Sequence, residues 1–141
     1  MDPQATIDAE RGTIDLENGL SLHKGLSHAT TKAAGLPTVG EQDMKTGWVY
    51  LWIGPYDVDG NQAHFSLSFA QSALDRISFS FGRKGVPMEE LIRIHDEYLL
   101  GKFGPPTDRE KWITRYVFPW GTLASCYDLK GGSSSIIMTW T

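Results

Sequence analysis

Four histidines and one cysteine are the side chains here best suited to acid–base, nucleophilic or metal chemistry, and their spacing frames none of these. His23 and His28 stand five residues apart in loop-like sequence, His64 in an extended run, and His95 on the apolar stripe of a helix. Cys126 sits between Ser125 and Tyr127 in a late extended run. A zinc site or a Cys–His catalytic pair repeats short, recognisable spacings, and no pair here has one. His95 reads as a hydrogen-bonded residue at the edge of the core, and Cys126 as a small buried hydrophobe. The carboxylate pairs Glu89-Glu90 and Asp96-Glu97 both fall on one helix, where the first complements the helix dipole and the second faces solvent. General acid–base work needs such groups across a cleft from their target. A hydrolase using His64 or His95 with nearby carboxylates is the one enzymatic reading left open.

Two other stretches imitate motifs. Asp57-Val58-Asp59-Gly60-Asn61 resembles the start of a calcium loop, but such a loop needs glycine sixth and glutamate twelfth; counted from Asp57, Gly60 is fourth and Ser68 twelfth. It reads as a hairpin turn. Gly131-Gly132-Ser133-Ser134-Ser135 lacks the Lys-Ser/Thr ending and the following helix of a phosphate loop, and reads as a strand connection. The expectation is a chain without catalytic residues, metal ligands or cofactor, and not an enzyme.

These residues must be positioned by the elements of a 141-residue chain, which is 40% hydrophobic and 21% charged, enough to bury a core without staples. The single cysteine excludes an internal disulfide and suits a reducing compartment. The opening Met1–Gly12 has no basic stretch followed by an apolar one, and no segment approaches the roughly 18 apolar residues of a membrane span. A cytoplasmic site without membrane contact is expected. Residues 1–70 hold four Lys/Arg against nine Asp/Glu, a balance that speaks against a nucleic-acid ligand and admits a basic partner.

Residues 1–12 are polar and read as a loose segment preceding one α+β domain over 13–141. Short extended pieces at Thr13–Leu16 and Leu20–His23 flank the turn signal Asn18-Gly19. Ser27 caps a short helix over 28–34, which Gly35-Leu36-Pro37 stops, and 38–46 reads as loop. Extended runs follow at 47–54, 63–70 and 74–81, with Asp59-Gly60 and Gln71-Ser72 as corners. Met88, Leu91, Ile92, His95 and Leu99 form the stripe of a long helix over 87–103, closed by Gly104-Pro105-Pro106. Runs at 111–118, 122–128 and 134–140 complete an antiparallel sheet of about six strands, with both helices on one face. In each half a helix, a Gly-x-Pro and three strands recur in order, which two tandem α-β-β-β modules or coincidence explain equally.

Alternation sorts the first three long runs by face, because side chains along a strand point to opposite sides with period two. Val49, Leu51, Ile53, Phe65, Leu67, Phe69, Ile77, Phe79 and Phe81 form the inward set. The outward set is Trp48, Tyr50 and Trp52, then His64, Ser66 and Ser68, then Arg76, Ser78 and Ser80. Three aromatics in a row on a hydrated face forgo about 1.5–3 kcal/mol each in burial, which marks them as anchors for a partner. The competing reading folds the N-terminal hairpin or a loop over them as a second small core. In the second half alternation is less clean, and Arg115 marks the wet face.

The run Tyr116-Val117-Phe118-Pro119-Trp120-Gly121, continuing through Tyr127-Asp128-Leu129-Lys130-Gly131 to Ser135-Ile136-Ile137, resembles small uncharacterised bacterial proteins of polymorphic-toxin neighbourhoods. Their pattern is a Trp-Gly turn, a Tyr-Asp strand end, a Lys/Arg-Gly turn and a Ser-x-Ile final strand. That resemblance spans roughly 45–141 and implies an immunity protein, one that neutralises a cognate toxin domain by direct contact. The element order is similar to the tandem α-β-β-β arrangement of beta-lactamase inhibitor proteins, which grip an enzyme with an aromatic-rich sheet face; this chain lacks their disulfides and export signal, so only the mode of binding is implied. On this reading Trp48, Tyr50 and Trp52 anchor the toxin, with His64 and Arg76 beside them, and Asp57 and Asp59 answer basic residues on it. The alternatives are a small-molecule or peptide-binding module using the same face, and a homodimer closed through it.

Overall fold

A computed structural model describes residues 2–82 and 85–141. In chain order its elements are β1 (Ala5–Asp8), β2 (Thr13–Leu16), β3 (Ser21–Leu22), α1 (His28–Ala33), β4 (Thr38–Asp43), β5 (Trp48–Val58), β6 (Asn61–Ala70) and β7 (Ala73–Ser80). They continue with α2 (Met88–Phe103), β8 (Asp108–Glu110), β9 (Ile113–Phe118), β10 (Gly121–Asp128) and β11 (Ser133–Trp140). The class is α+β and antiparallel within the sheets, but the expected six strands are too few: eleven form an eight-stranded and a three-stranded sheet. No helix among the described residues is long and apolar enough to cross a membrane.

The large sheet has the order β4-β5-β6-β7-β11-β10-β9-β8. Each helix is therefore followed by four antiparallel strands, and the two meanders meet where β7 pairs antiparallel with β11, Phe79 opposite Ile136 and Ser78 opposite Ile137. Each half thus has one strand more than the sequence suggests. The extra strands are the two edges. β4, expected to be loop, is almost wholly exposed, and β8 is the three exposed residues Asp-Arg-Glu. Polar edge strands carry no alternation to read, since neither of their faces is buried.

The inward set behaves as alternation requires: Ile53, Phe65, Leu67, Phe69 and Ile77 are at 0% exposure. From α2, Leu91, His95 and Leu99 are buried, and His28 of α1 sets its ring edge-on to Phe69 at 5.1 Å. The segment 1–12, expected to be loose, instead contributes β1, whose Ala5 and Ile7 are buried, while Met1 lies outside the described residues. Ile7, Ile14, Leu16 and Leu22 join one apolar cluster with Leu51, Ile53 and Phe65, so the small sheet lies on the inward face, beside the helices. Two indoles pin it there: Trp120 Nε1 donates to the Ala9 carbonyl at 2.6 Å and Trp140 Nε1 to the Gly12 carbonyl at 2.7 Å. At the other end the Asp57 amide donates to the Pro3 carbonyl at 2.8 Å.

Candidate binding face

With the helices and the small sheet packed against the inward side, most of the opposite face of the eight strands is uncovered among the described residues, and only the start of α2 reaches its margin. β5 carries Trp48, Tyr50 and Trp52 onto it because its inward partners, Leu51 and Ile53, are locked in the core. Register then fixes what stands beside them: Trp52 opposite Ser66, Tyr50 opposite Ser68. Ser66 is in turn opposite Ser78, Ser68 opposite Arg76, and His64 opposite Ser80. Ile137 and Thr139 of β11 continue these rows. Beyond them come Ala124 and Thr122 of β10, then Arg115 and Val117 of β9.

The three rings are half-buried rather than splayed into solvent. Tyr50 and Trp52 stack with centroids 6.2 Å apart and 23° between planes, so part of their apolar area shields itself. Arg76 is exposed in the middle of a hydroxyl-rich floor and has no ion-pair partner among the described residues, whereas Arg115 on the far wing is bound by Asp108 at 2.7 Å. Trp48, Tyr50, Trp52, His64 and Arg76 thus share one surface.

The two acidic residues singled out from the sequence are held by hydrogen bonds within the fold. Asp57 accepts the Gly60 amide at 2.6 Å and closes the β5–β6 turn, in which Asp59 and Gly60 take φ of 51° and 88°. Asp59 reaches α2, where its Oδ2 accepts from the Tyr98 hydroxyl at 2.5 Å and from Lys102 Nζ at 2.6 Å. Desolvation raises the Asp59 carboxyl, but these two hydrogen bonds and the nearby ammonium outweigh it and hold the carboxyl below its ordinary range. Both carboxylates serve the fold's own turn and helix.

Beside Trp52 the face deepens into a groove of about 470 Å³, lined by Trp52, His64, Ser66, Ser78 and Ser80, by Met88 and Leu91 of α2, and by the Gly132–Ser135 stretch. Sequence reasoning took Gly132–Ser135 for a plain strand connection and did not bring Met88 to this face. The spacing of Ser133 and Ser135, which repeats that of Ser66/Ser68 and Ser78/Ser80, is the signal that links them. Comparison of the chain with family models, with curated proteins and with solved structures finds no match. The side chains themselves therefore have to identify what the face binds.

The remaining chemical candidates, His95 and Cys126, lie away from the rings. His95 is at 0% exposure; its Nε2 accepts the Phe81 amide at 3.0 Å, which leaves the proton on Nδ1 to be donated to Ser134 Oγ at 2.9 Å. Burial pushes its pKa down to about 4, opposed by Asp96, so the ring is neutral near pH 7. Cys126 is half-buried, and burial pushes its thiol up against the pull of Arg115 and Arg76, which keeps it protonated. Among the described residues no group of three or more His, Cys, Asp or Glu is arranged to hold a metal ion.

Proposed function

We propose that the chain is an immunity protein that binds and neutralises a cognate bacterial toxin by direct protein–protein contact, gripping it with the bare face of the large sheet. The observation that carries this reading is the row Trp48, Tyr50, Trp52 with the unpaired Arg76 two strands away. Trp, Tyr and Arg are the residues that dominate interface energies, and a stiff sheet presents them at little entropic cost. Both sheet edges are short or charged, which discourages a partner from adding a strand and leaves the face as the route of contact. With Asp57 tied to the Gly60 amide and Asp59 to Lys102, the charge offered at the centre of this face is that of Arg76, and the matching toxin surface carries an acidic group for it. A cytoplasmic protector of the toxin-producing cell accords with the single cysteine.

The test is co-expression with toxin domains encoded immediately upstream, scored by growth rescue and by isolation of a one-to-one complex. Changing Trp48, Tyr50 and Trp52 together to Ala should abolish rescue while the protein stays folded, each ring being worth up to about 2 kcal/mol of binding. Rescue by the triple variant would remove the face from the mechanism, and a symmetric dimer of the isolated chain through the rings would replace the toxin with a second copy. A second reading, a ligand-binding module, is favoured by one specific observation, the groove beside Trp52.

A further inference from the structure

The groove beside Trp52 has walls and floor of different chemistry. The Trp52 indole stands on one side, with Met88 and Leu91 at the start of α2 also lining it. The floor is largely hydroxyl: Ser66 and Ser78 are direct cross-strand partners, Ser80 stands opposite His64 in the next row, Ser135 also lines the groove, and Phe79 adds an apolar contact. Neighbouring strands lie about 4.8 Å apart, so two of these hydroxyls span the width of one six-membered ring. Ser80 Oγ accepts the Gly82 amide at 3.0 Å, and the buried Ser134 is engaged by His95. The hydroxyls of Ser66, Ser78 and Ser135 make no side-chain hydrogen bond to any described residue.

This combination selects by chemistry. The groove's described lining offers hydroxyls, an imidazole and apolar side chains. A purely apolar ligand would strand the serine hydroxyls. A pyranose ring avoids that cost: its C–H faces suit an indole and a thioether, and its edge carries hydroxyls that donate and accept as serines do. We propose that this groove binds one ring of an uncharged saccharide, edge-on to the serine floor and stacked on Trp52. The inference rests on the ligand-binding reading of the face and is independent of any toxin.

The experiment is calorimetric titration of the full chain with neutral probes, chitotriose and maltotriose, at up to about 10 mM, where even weak millimolar binding is measurable. Adenosine and glucose 6-phosphate form the two comparison arms. One trisaccharide should bind, and Trp52→Ala should weaken it by about tenfold or more, the loss expected for an aromatic stacking partner. Ser78→Val, which keeps the strand and removes a floor hydroxyl, should weaken it as well, while Trp112→Ala outside the groove should leave it unchanged. Silence of both trisaccharides overturns the proposal, as does binding indifferent to Trp52→Ala and Ser78→Val. If adenosine alone binds, and does so through Trp52, the saccharide falls but the ligand-binding reading stands. Silence of every arm removes both.

Discussion

At the scale of single residues, the side chain with the most consequential environment is His95, which is fully buried and held through both ring nitrogens. It ties α2 to Phe81 at the end of β7 and to Ser134 of β11 through its two ring nitrogens, and it can do so only while neutral. Its folded pKa of about 4 lies below the ordinary 6.5, so the unfolded chain binds the extra proton first as pH falls. The stability linked to neutral His95 is therefore intact above pH 6.5 and is lost progressively towards pH 4. Between about pH 6.5 and 4.5 the unfolding free energy in urea should drop by about 2 kcal/mol, and His95→Gln should flatten that slope. The carboxylates held low by their partners, Asp8, Glu41, Asp59 and Glu90, begin to withdraw stability only near their ordinary values of 3.8 to 4.5, so the upper part of this window belongs to His95. A slope unchanged in His95→Gln would assign the dependence to other groups. The apolar stripe places His95 at the core in the sequence, but its two partners, 14 and 39 residues away, are not legible there.

At the scale of elements, the hairpins and edges carry the information that sequence handled unevenly. The β5–β6 turn was legible because Asp59-Gly60 is a favoured pair for a two-residue corner with both φ positive, and it takes φ of 51° and 88°. The β6–β7 corner uses Gln71 and Ser72 at φ of 50° and 68°, a conformation that costs a residue with Cβ about 1 kcal/mol. Ser72 is exposed, so Ser72→Gly should stabilise the protein by about 0.5–1 kcal/mol and raise Tm by a few degrees; a lower Tm in a thermal melt would refute the strain argument. The edge strand β4 was illegible for the opposite reason, having no buried face to pattern it. Glu41 nonetheless turns inward to accept from His28 at 3.0 Å and Lys32 at 2.5 Å, clipping β4 to α1. Alternation keeps Glu41 and Asp43, opposite inward Leu51 and Val49, off the ring face, where β4 presents Gly40 and Gln42 opposite Trp52 and Tyr50.

At the scale of the whole molecule, the placement of the N-terminal sheet decides whether a binding face exists. Had β1–β3 packed over Trp48, Tyr50 and Trp52, the rings would be a second core; packed inward, they complete the first core and leave the rings bare. Removing residues 1–12 strips β1 and the carbonyl acceptors of Trp120 and Trp140. It should cost about 5 kcal/mol, from lost apolar burial and two indole N–H groups without their acceptors, which is a large part of the entire stability of an ordinary domain. Circular dichroism of the truncated chain should show a Tm far below that of the full chain, and a near-equal Tm would mean that the small sheet is an ornament. Sequence alone determined which side chains of β5, β6 and β7 share a face, because alternation is a local property of a strand and needs no knowledge of its neighbours. It also determined both helices and most of the turns, where capping residues and glycine act within a few positions. Only the tertiary structure decided that β7 pairs with β11, that Ser133–Ser135 comes to line a groove with Ser78 and Ser80, and which face the N-terminal sheet covers. Those choices depend on apolar area buried across the whole chain, summed over contacts dozens of residues apart, and no local pattern records that sum.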